Sequence, residues 1–188
     1  MLKQKGPQLA EPEYDENFRI LRAGRSFFKD LGYYRAKCEM RNAPVAVAWL
    51  DIDDFKRLNT KYLHIMVDRN VLPRFMETIE SHVFSHGMAY RQSGDEYKVL
   101  LPNMSADVAQ DFLDQLRIKL AGLEYRDIEE RTTISIGLCE VGSDSYLTDR
   151  EVDDRANKAM AFAKDAGKNR IAAYEDSVDI STVRVVRP

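Results

Sequence analysis

The chain reads as an α/β (α+β) domain, a central sheet flanked by helices, and three features predict it. Residues 45–50 form an unbroken apolar run of strand length that closes on acids, and a strand apolar on both faces sits inside its sheet. Residues 88–92 and 98–102 are strand-like runs on either side of the tight acidic turn Ser93-Gly94-Asp95-Glu96, the pattern of a hairpin. Between and around these runs, apolar residues recur at helical spacing. The order of helix, strand, helices, hairpin, helix, strand, helix, strand implies a mixed sheet covered by helices.

Taken in order, residues 1–17 are polar, carry Pro7 and Pro12, and show no periodicity, which predicts a flexible N-terminal lead-in. From residue 18 to about 40, Ile20, Leu21, Phe27, Phe28, Leu31, Tyr34 and Cys38 fit one helix face with a break near Gly24. Pro44 ends it before the apolar strand. Residues 55–63 and 67–83 read as helix, with Pro73 starting a turn or kinking the second piece. Ser105 offers a cap for a helix over 106–120. Residues 132–138 alternate and are β-branched, hence a strand. Residues 149–166 form the last helix, ended by Gly167 as a C-cap. Residues 171–174 are a short closing strand, and 175–188 read as a C-terminal tail. The domain is thus expected over 18–174.

With 188 residues, 44% hydrophobic and 31% charged, the chain can bury an ordinary core. A net charge of −3 argues against nucleic-acid binding, which needs clustered cations. A nucleotide whose charge is offset by metal ions fits better. Cys38 and Cys139 form no CxxC pair, as expected of free thiols in a reducing compartment. The first residues lack the apolar segment of a signal peptide, and no run of about 18 apolar residues is present. These features predict a cytoplasmic location with no membrane contact, any sensor or regulatory protein being another chain.

Two acidic clusters carry the chemistry. Asp53 or Asp54 can cap the following helix, but Asp51 ends a run that should be buried, where a carboxylate is costly unless a cation or donors meet it. Asp95 and Glu96 sit on the hairpin, and adjacent strand ends bring Asp51 and Asp95 within reach of one ion. Mg²⁺ is held by one or two carboxylates plus substrate phosphates, so an acid-poor pair suits Mg²⁺–nucleotide. No Gly-rich phosphate loop exists, so a phosphate cradle has to come from the backbone N–H groups of Phe55 and Lys56. Lys164 and Lys168, four apart at the end of the last helix, suit either a helix dipole or a polyphosphate. His64, His82 and His86 have no zinc spacing.

Together these motifs resemble the GGDEF family, the diguanylate cyclases. The signature loop Gly-Gly-Asp/Glu-Glu-Phe corresponds to Ser93-Gly94-Asp95-Glu96-Tyr97. The pattern Asp-Ile-Asp-x-Phe-Lys-x-x-Asn matches Asp51 to Asn59 in every fixed place, and Asp68 stands nine residues on, where the family has an acid. Ser135-Ile136-Gly137 and the stretch from Ala156 to Asn169 match two further motifs. The resemblance implies a nucleotidyl-cyclase or polymerase-palm fold with a mostly antiparallel sheet. It also implies that Asp51, Asp95 and the Ile52 carbonyl hold two Mg²⁺ ions, with Mn²⁺ an alternative. Glu96 helps deprotonate the 3′-hydroxyl of one GTP as it attacks another. Asn59 and Asp68 read guanine, Gly94 lies against the nucleotide, and Lys164 and Lys168 contact phosphates. Because each subunit holds one GTP, the resemblance implies a homodimer that makes cyclic di-GMP and pyrophosphate.

Several positions depart from the family. Ser93 replaces a glycine, and the Tyr-Gly-His-x-x-Gly-Asp stretch has Leu63 and Val67 in place of both glycines, which reshapes or fills the guanine pocket. The early Asp-x-Leu-Thr-Gly-Leu motif is missing. The Arg-x-x-Asp of the inhibitory product site falls on Phe84 and Gly87, so no product feedback through that site is expected. The competing readings are a degenerate module that binds GTP or a protein without turnover, and a cyclase that makes another cyclic dinucleotide.

Overall fold

The computed structural model describes residues 11–176 and 181–187. Strand β1 (Arg22–Ala23) and one 3-10 turn (Gly24–Ser26) lead into α1 (Phe27–Glu39). After β2 (Val45–Ile52) come α2 (Phe55–Tyr62), α3 (His64–Asn70) and α4 (Leu72–Val83). The hairpin β3 (Met88–Ser93) and β4 (Glu96–Pro102), then α5 (Ala106–Ala121) and β5 (Ile134–Val141), follow. Helix α6 (Asp149–Asp165), β6 (Ile171–Asp176) and β7 (Ser181–Arg187) close the order.

These strands make one seven-stranded sheet in the order β1-β3-β4-β2-β5-β6-β7. Only the β1–β3 and β5–β6 pairs are parallel; the others are antiparallel. All eight residues of β2 are buried, as its apolar run implies. Strand alternation then sorts its side chains onto two faces. Ala46, Ala48 and Leu50 join Phe75 and Ile79 of α4 and Leu113 and Leu116 of α5. Val45, Val47 and Trp49 pack with Phe27 and Leu31 of α1 and Val152 and Ala156 of α6. Asp51 continues the second row, so its side chain lies on the α6 side of the sheet.

Helix α6 rides directly on the sheet backbone. A Cβ at Gly137 would collide with the backbone N of Met160 and the carbonyl O of Ala156, so glycine is required there for the helix and strand to touch. At the other end of α6, Thr148 and Glu151 form a capping box, which fixes where the helix begins.

Four expectations are corrected. Residues 18–26 are not α-helical. Phe18 N donates to Asp15 Oδ2 at 2.8 Å, Arg19 turns with φ 58°, and Leu21 is fully buried before Arg22 pairs with Tyr90. That same loop ties down residues 11–17 of the expected lead-in, through Asp15 N to Leu21 O (2.9 Å) and a Tyr14–Arg22 bridge; residues 1–10 lie outside the described residues. Ser105 makes no side-chain cap on α5, because Glu140 of β5 reaches Ala106 N at 2.5 Å instead. The expected tail holds β7, antiparallel to β6, and its β-branched residues Thr182, Val183, Val185 and Val186 are the strand signal there. Residues 177–180 and 188 of that tail lie outside the described residues.

Candidate functional site

The end of β2 is framed by two neighbours. Asp51 faces Glu96 across the β4 pairing and Ser135 across the β5 pairing. Ile52 N donates to the Asp95 carbonyl at 3.2 Å. The hairpin between β3 and β4 turns on two residues, Gly94 and Asp95, with Gly94 at φ 31°. A turn that tight needs a residue free of the Cβ penalty at positive φ. The sheet therefore presents Asp51, Asp95 and Glu96 at one edge, with the Ile52 carbonyl between them in the chain.

Asp51 is only 6% exposed. Its Oδ1 lies 2.6 Å from Lys164 Nζ, an ion-pair contact without a well-aligned hydrogen bond. Burial pushes its carboxyl up to about 6 against the pull of Lys164, and the nearby Asp95 and Glu96 charges push the same way. Asp95 is also raised, mainly by burial. Like charges crowded at a desolvated edge raise carboxylate pKa values, and such groups cluster where ligands bind. Glu96 accepts a 2.5 Å hydrogen bond from Ser93 Oγ, so the serine that replaces a glycine touches the glutamate of the signature loop.

Asp53 has a different role from the capping expected of it. Its Oδ1 accepts from Ser135 Oγ at 2.6 Å, and its Oδ2 accepts from Thr133 Oγ1 at 2.7 Å and Asn169 N at 2.9 Å. This buried carboxylate joins the end of β2, the start of β5 and the turn after α6. Asp54 caps nothing with its side chain either. It sits at φ 55° and is gripped by Lys168 at 2.5 Å. With no side-chain cap, the first amides of α2, at Phe55, Lys56 and Arg57, have no hydrogen-bond partner among the described residues and point out of the helix start.

Asn59 and Asp68 stand apart from the acids, on the adjoining helices α2 and α3. Among the described residues no hydrogen bond joins either to the acidic edge, and the Asn59 carbonyl oxygen is buried without a partner. Between them Leu63 breaks the helices at φ 63° and is 67% exposed. Val67 is fully buried with Leu58, Val71, Tyr125 and Ile128, so its side chain fills a small core below α3. A cavity of about 270 Å³ on the flank of α2 is lined by Asp53, Asp54, Arg57, Lys61, Glu130 and Thr133. It contains none of Asp51, Asp95 or Glu96 and is a separate feature.

A brace not foreseen in the sequence holds the hairpin. Arg91 donates to the Gly94 carbonyl from Nε (3.3 Å) and Nη2 (3.1 Å), pairs with Asp15 at 3.3 Å, and stacks 4.7 Å over Phe18. Its only sequence signal is the Asp15–Phe18 stretch, which lacks periodicity.

The family model for the diguanylate cyclase GGDEF domain matches residues 21–170. This chain belongs to the GGDEF family. The GGDEF domain of DgcB from Caulobacter crescentus, in complex with c-di-GMP, is 25% identical with a TM-score of 0.77, covering 88% of this chain and 98% of that one. The diguanylate cyclase SiaD of Pseudomonas aeruginosa, in complex with its activator SiaC, shares the fold at 24% identity and a TM-score of 0.78, covering 85% of this chain and 61% of that one. At family level, the GGDEF domain and its diguanylate cyclase neighbours support cyclic di-GMP synthesis.

Curated relatives correct the expected cytoplasmic location. Uncharacterized membrane proteins of Staphylococcus haemolyticus and Staphylococcus aureus are 25% identical over 150 residues, 78% of this chain and 42% of theirs. The chain thus spans less than half the length of these relatives. Among its described residues no helix is long and apolar enough to cross a membrane.

Proposed function

We propose that this GGDEF domain binds GTP with Mg²⁺ and, facing a second copy of itself, condenses two GTP into cyclic di-GMP with release of pyrophosphate. The observation that carries the reading is the buried Asp51 carboxylate, adjacent in the sheet to Glu96 and the Asp95 turn, with Lys164 at its oxygen. A desolvated carboxylate with an oxygen short of hydrogen bonds suits a hard divalent ion that takes its remaining ligands from phosphates. Asp51, Asp95 and the Ile52 carbonyl would hold two such ions, with Mn²⁺ able to replace Mg²⁺. When bound, the ions supply charge stabilisation for an in-line phosphoryl displacement.

This chain's own residues supply the rest. The free amides of Phe55 and Lys56 cradle phosphate oxygens. Lys164 and Lys168, both now seated on carboxylates, exchange those partners for phosphates. Glu96 takes the proton of the attacking 3′-hydroxyl, its carboxylate aimed by Ser93. The Asn59 carbonyl oxygen and the Asp68 carboxylate accept from the ring N–H and amino group of guanine, and Gly94 leaves room for the nucleotide beside the turn. Because each site holds one nucleotide, turnover needs a homodimer, and an upstream sensor or regulatory protein would set how the two copies meet.

Leu63 favours a second reading, in which the domain binds nucleotide or a protein without turnover, or takes another base. Its strained, exposed corner replaces a glycine beside the proposed base site. Incubation of the purified protein with Mg²⁺ and each of the four NTPs separates these readings. Cyclic di-GMP and pyrophosphate from GTP alone support the cyclase, a different cyclic dinucleotide assigns a different base, and no product from any NTP sinks turnover altogether. With GTP as substrate, Glu96→Gln is expected to lower turnover by about 10²–10⁴-fold while leaving GTP binding in place.

A further inference from the structure

Two lysines of the site occupy unequal positions. Lys168 and Asp54 are both about half exposed, with side chains at 42% and 50%, a loose surface pair of little strength. Lys164 is 33% exposed but grips Asp51, whose side chain is 8% exposed. Here the buried partner is the carboxylate and the cation reaches solvent. Asp51 is held in the middle of the sheet and cannot move to find another partner. Helix α6 packs directly on β5, its backbone against Gly137. The Lys164 side chain alone is free to leave.

We propose that the Lys164 ammonium is a place-holder for the divalent cation, so that metal enters only together with nucleotide. This rests on the reading of Asp51 as a metal ligand. Two cations cannot share the Asp51 oxygen, since at a few ångströms in a partly desolvated site their repulsion is several kcal/mol. A free divalent ion must therefore displace Lys164 with nothing to offer it in return. A metal–nucleotide complex brings phosphate oxygens that take Lys164 as Asp51 is handed to the metal. Asp51 stays paired while the site is empty, and bare metal is refused.

The test measures Mn²⁺ binding by electron paramagnetic resonance, in wild type and in Lys164→Met, with and without a non-hydrolysable GTP analogue. Expected is Mn²⁺ affinity without nucleotide at least about tenfold tighter in Lys164→Met, a difference of about 1.4 kcal/mol, with the gap closing or reversing when the analogue is present. Thermal unfolding checks that the variant is folded, and Lys164→Gln serves in its place if it is not. Equal Mn²⁺ affinity in the two folded proteins without nucleotide overturns the place-holder while leaving the metal site standing. No Mn²⁺ binding to either protein, even with the analogue, overturns both.

Discussion

Two lysine–aspartate pairs lie on the same face of this sheet, and both involve α6. Asp153, near the start of the helix, meets Lys98 of β4; Lys164, near its end, meets Asp51 of β2. The first pair is closed. Lys98 lies 2.8 Å from Asp153 Oδ1, Trp49 Nε1 donates to that same oxygen at 2.8 Å, and the ammonium sits 4.2–4.5 Å from the Trp49 and Phe27 rings. Each charge has a hydrogen-bonding or aromatic partner, so the pair fixes α6 against the sheet. The second pair is open. Asp51 lacks an aligned hydrogen bond, its carboxyl is raised, and its lysine reaches solvent. The first pair is surrounded until nothing is left to satisfy, whereas the second is left incomplete, as the proposed metal site requires.

The contrast can be broken from its closed end first. Asp153→Ala strands the Lys98 charge among the Phe27, Phe28 and Trp49 rings and is expected to lower stability by about 3–5 kcal/mol, read from denaturant midpoints. Replacing both partners, with Lys98→Met and Asp153→Leu, should recover most of that loss, because the penalty comes from the unpaired charge. An equal loss in the double variant would show that the pair is worth more than its apolar replacement.

At the open end the sign reverses. Asp51→Asn removes a carboxylate that the empty site holds at a disadvantage, and Lys164 can turn to water. The metal-free protein is expected to gain about 1 kcal/mol or stay unchanged, while nucleotide-dependent Mn²⁺ binding is lost. pH sharpens the point. Burial raises the folded Asp51 to about 6 from the ordinary carboxylate value of 3.8, so its contribution to stability is fully present below about 4 and is lost as pH rises through 6. In metal-free buffer, melting temperature should fall over that window in wild type more than in Asp51→Asn. A smaller effect comes from Tyr97, which stands where the family has Phe. Its ring packs 5.8 Å from Phe75 and its hydroxyl is buried without a hydrogen bond. Tyr97→Phe is expected to stabilise the protein by about 1 kcal/mol.

Much of this was legible from residue order. The buried strand ending in Asp51, the hairpin at Gly94, and the helix ending in Gly167 were readable because apolar periodicity and turn residues are local signals. The placement of Asp51 beside Glu96 follows from strand pairing, which the separate motifs anticipated. What escaped was non-local. Asp53 reads as a cap and instead joins the end of β2 to segments 80 to 116 residues further along the chain. Asp15 lies in a stretch without periodicity and Leu21 mimics a helix face, yet Asp15 holds both the Leu21 carbonyl and Arg91, and the next two residues pair in parallel with β3. Lys98 alternates like any strand residue, and nothing in its neighbours announces Asp153. Strand β7 escapes the sequence because a short β-branched run interrupted by Arg184 weighs little without the strand it pairs with.

Gly137 carries a lesson for reading relatives of this chain. The glycine is demanded by the touch of α6 on β5, whatever happens at the acids. A descendant that abandoned turnover, trading Glu96 or Asp51 for inert residues, would still be unable to accept alanine at that contact. The Ser-Ile-Gly part of the signature is therefore a marker of architecture and would survive in a protein that has become a pure scaffold. Surveys that separate working cyclases from retired ones should weigh the acidic edge and ignore the glycine.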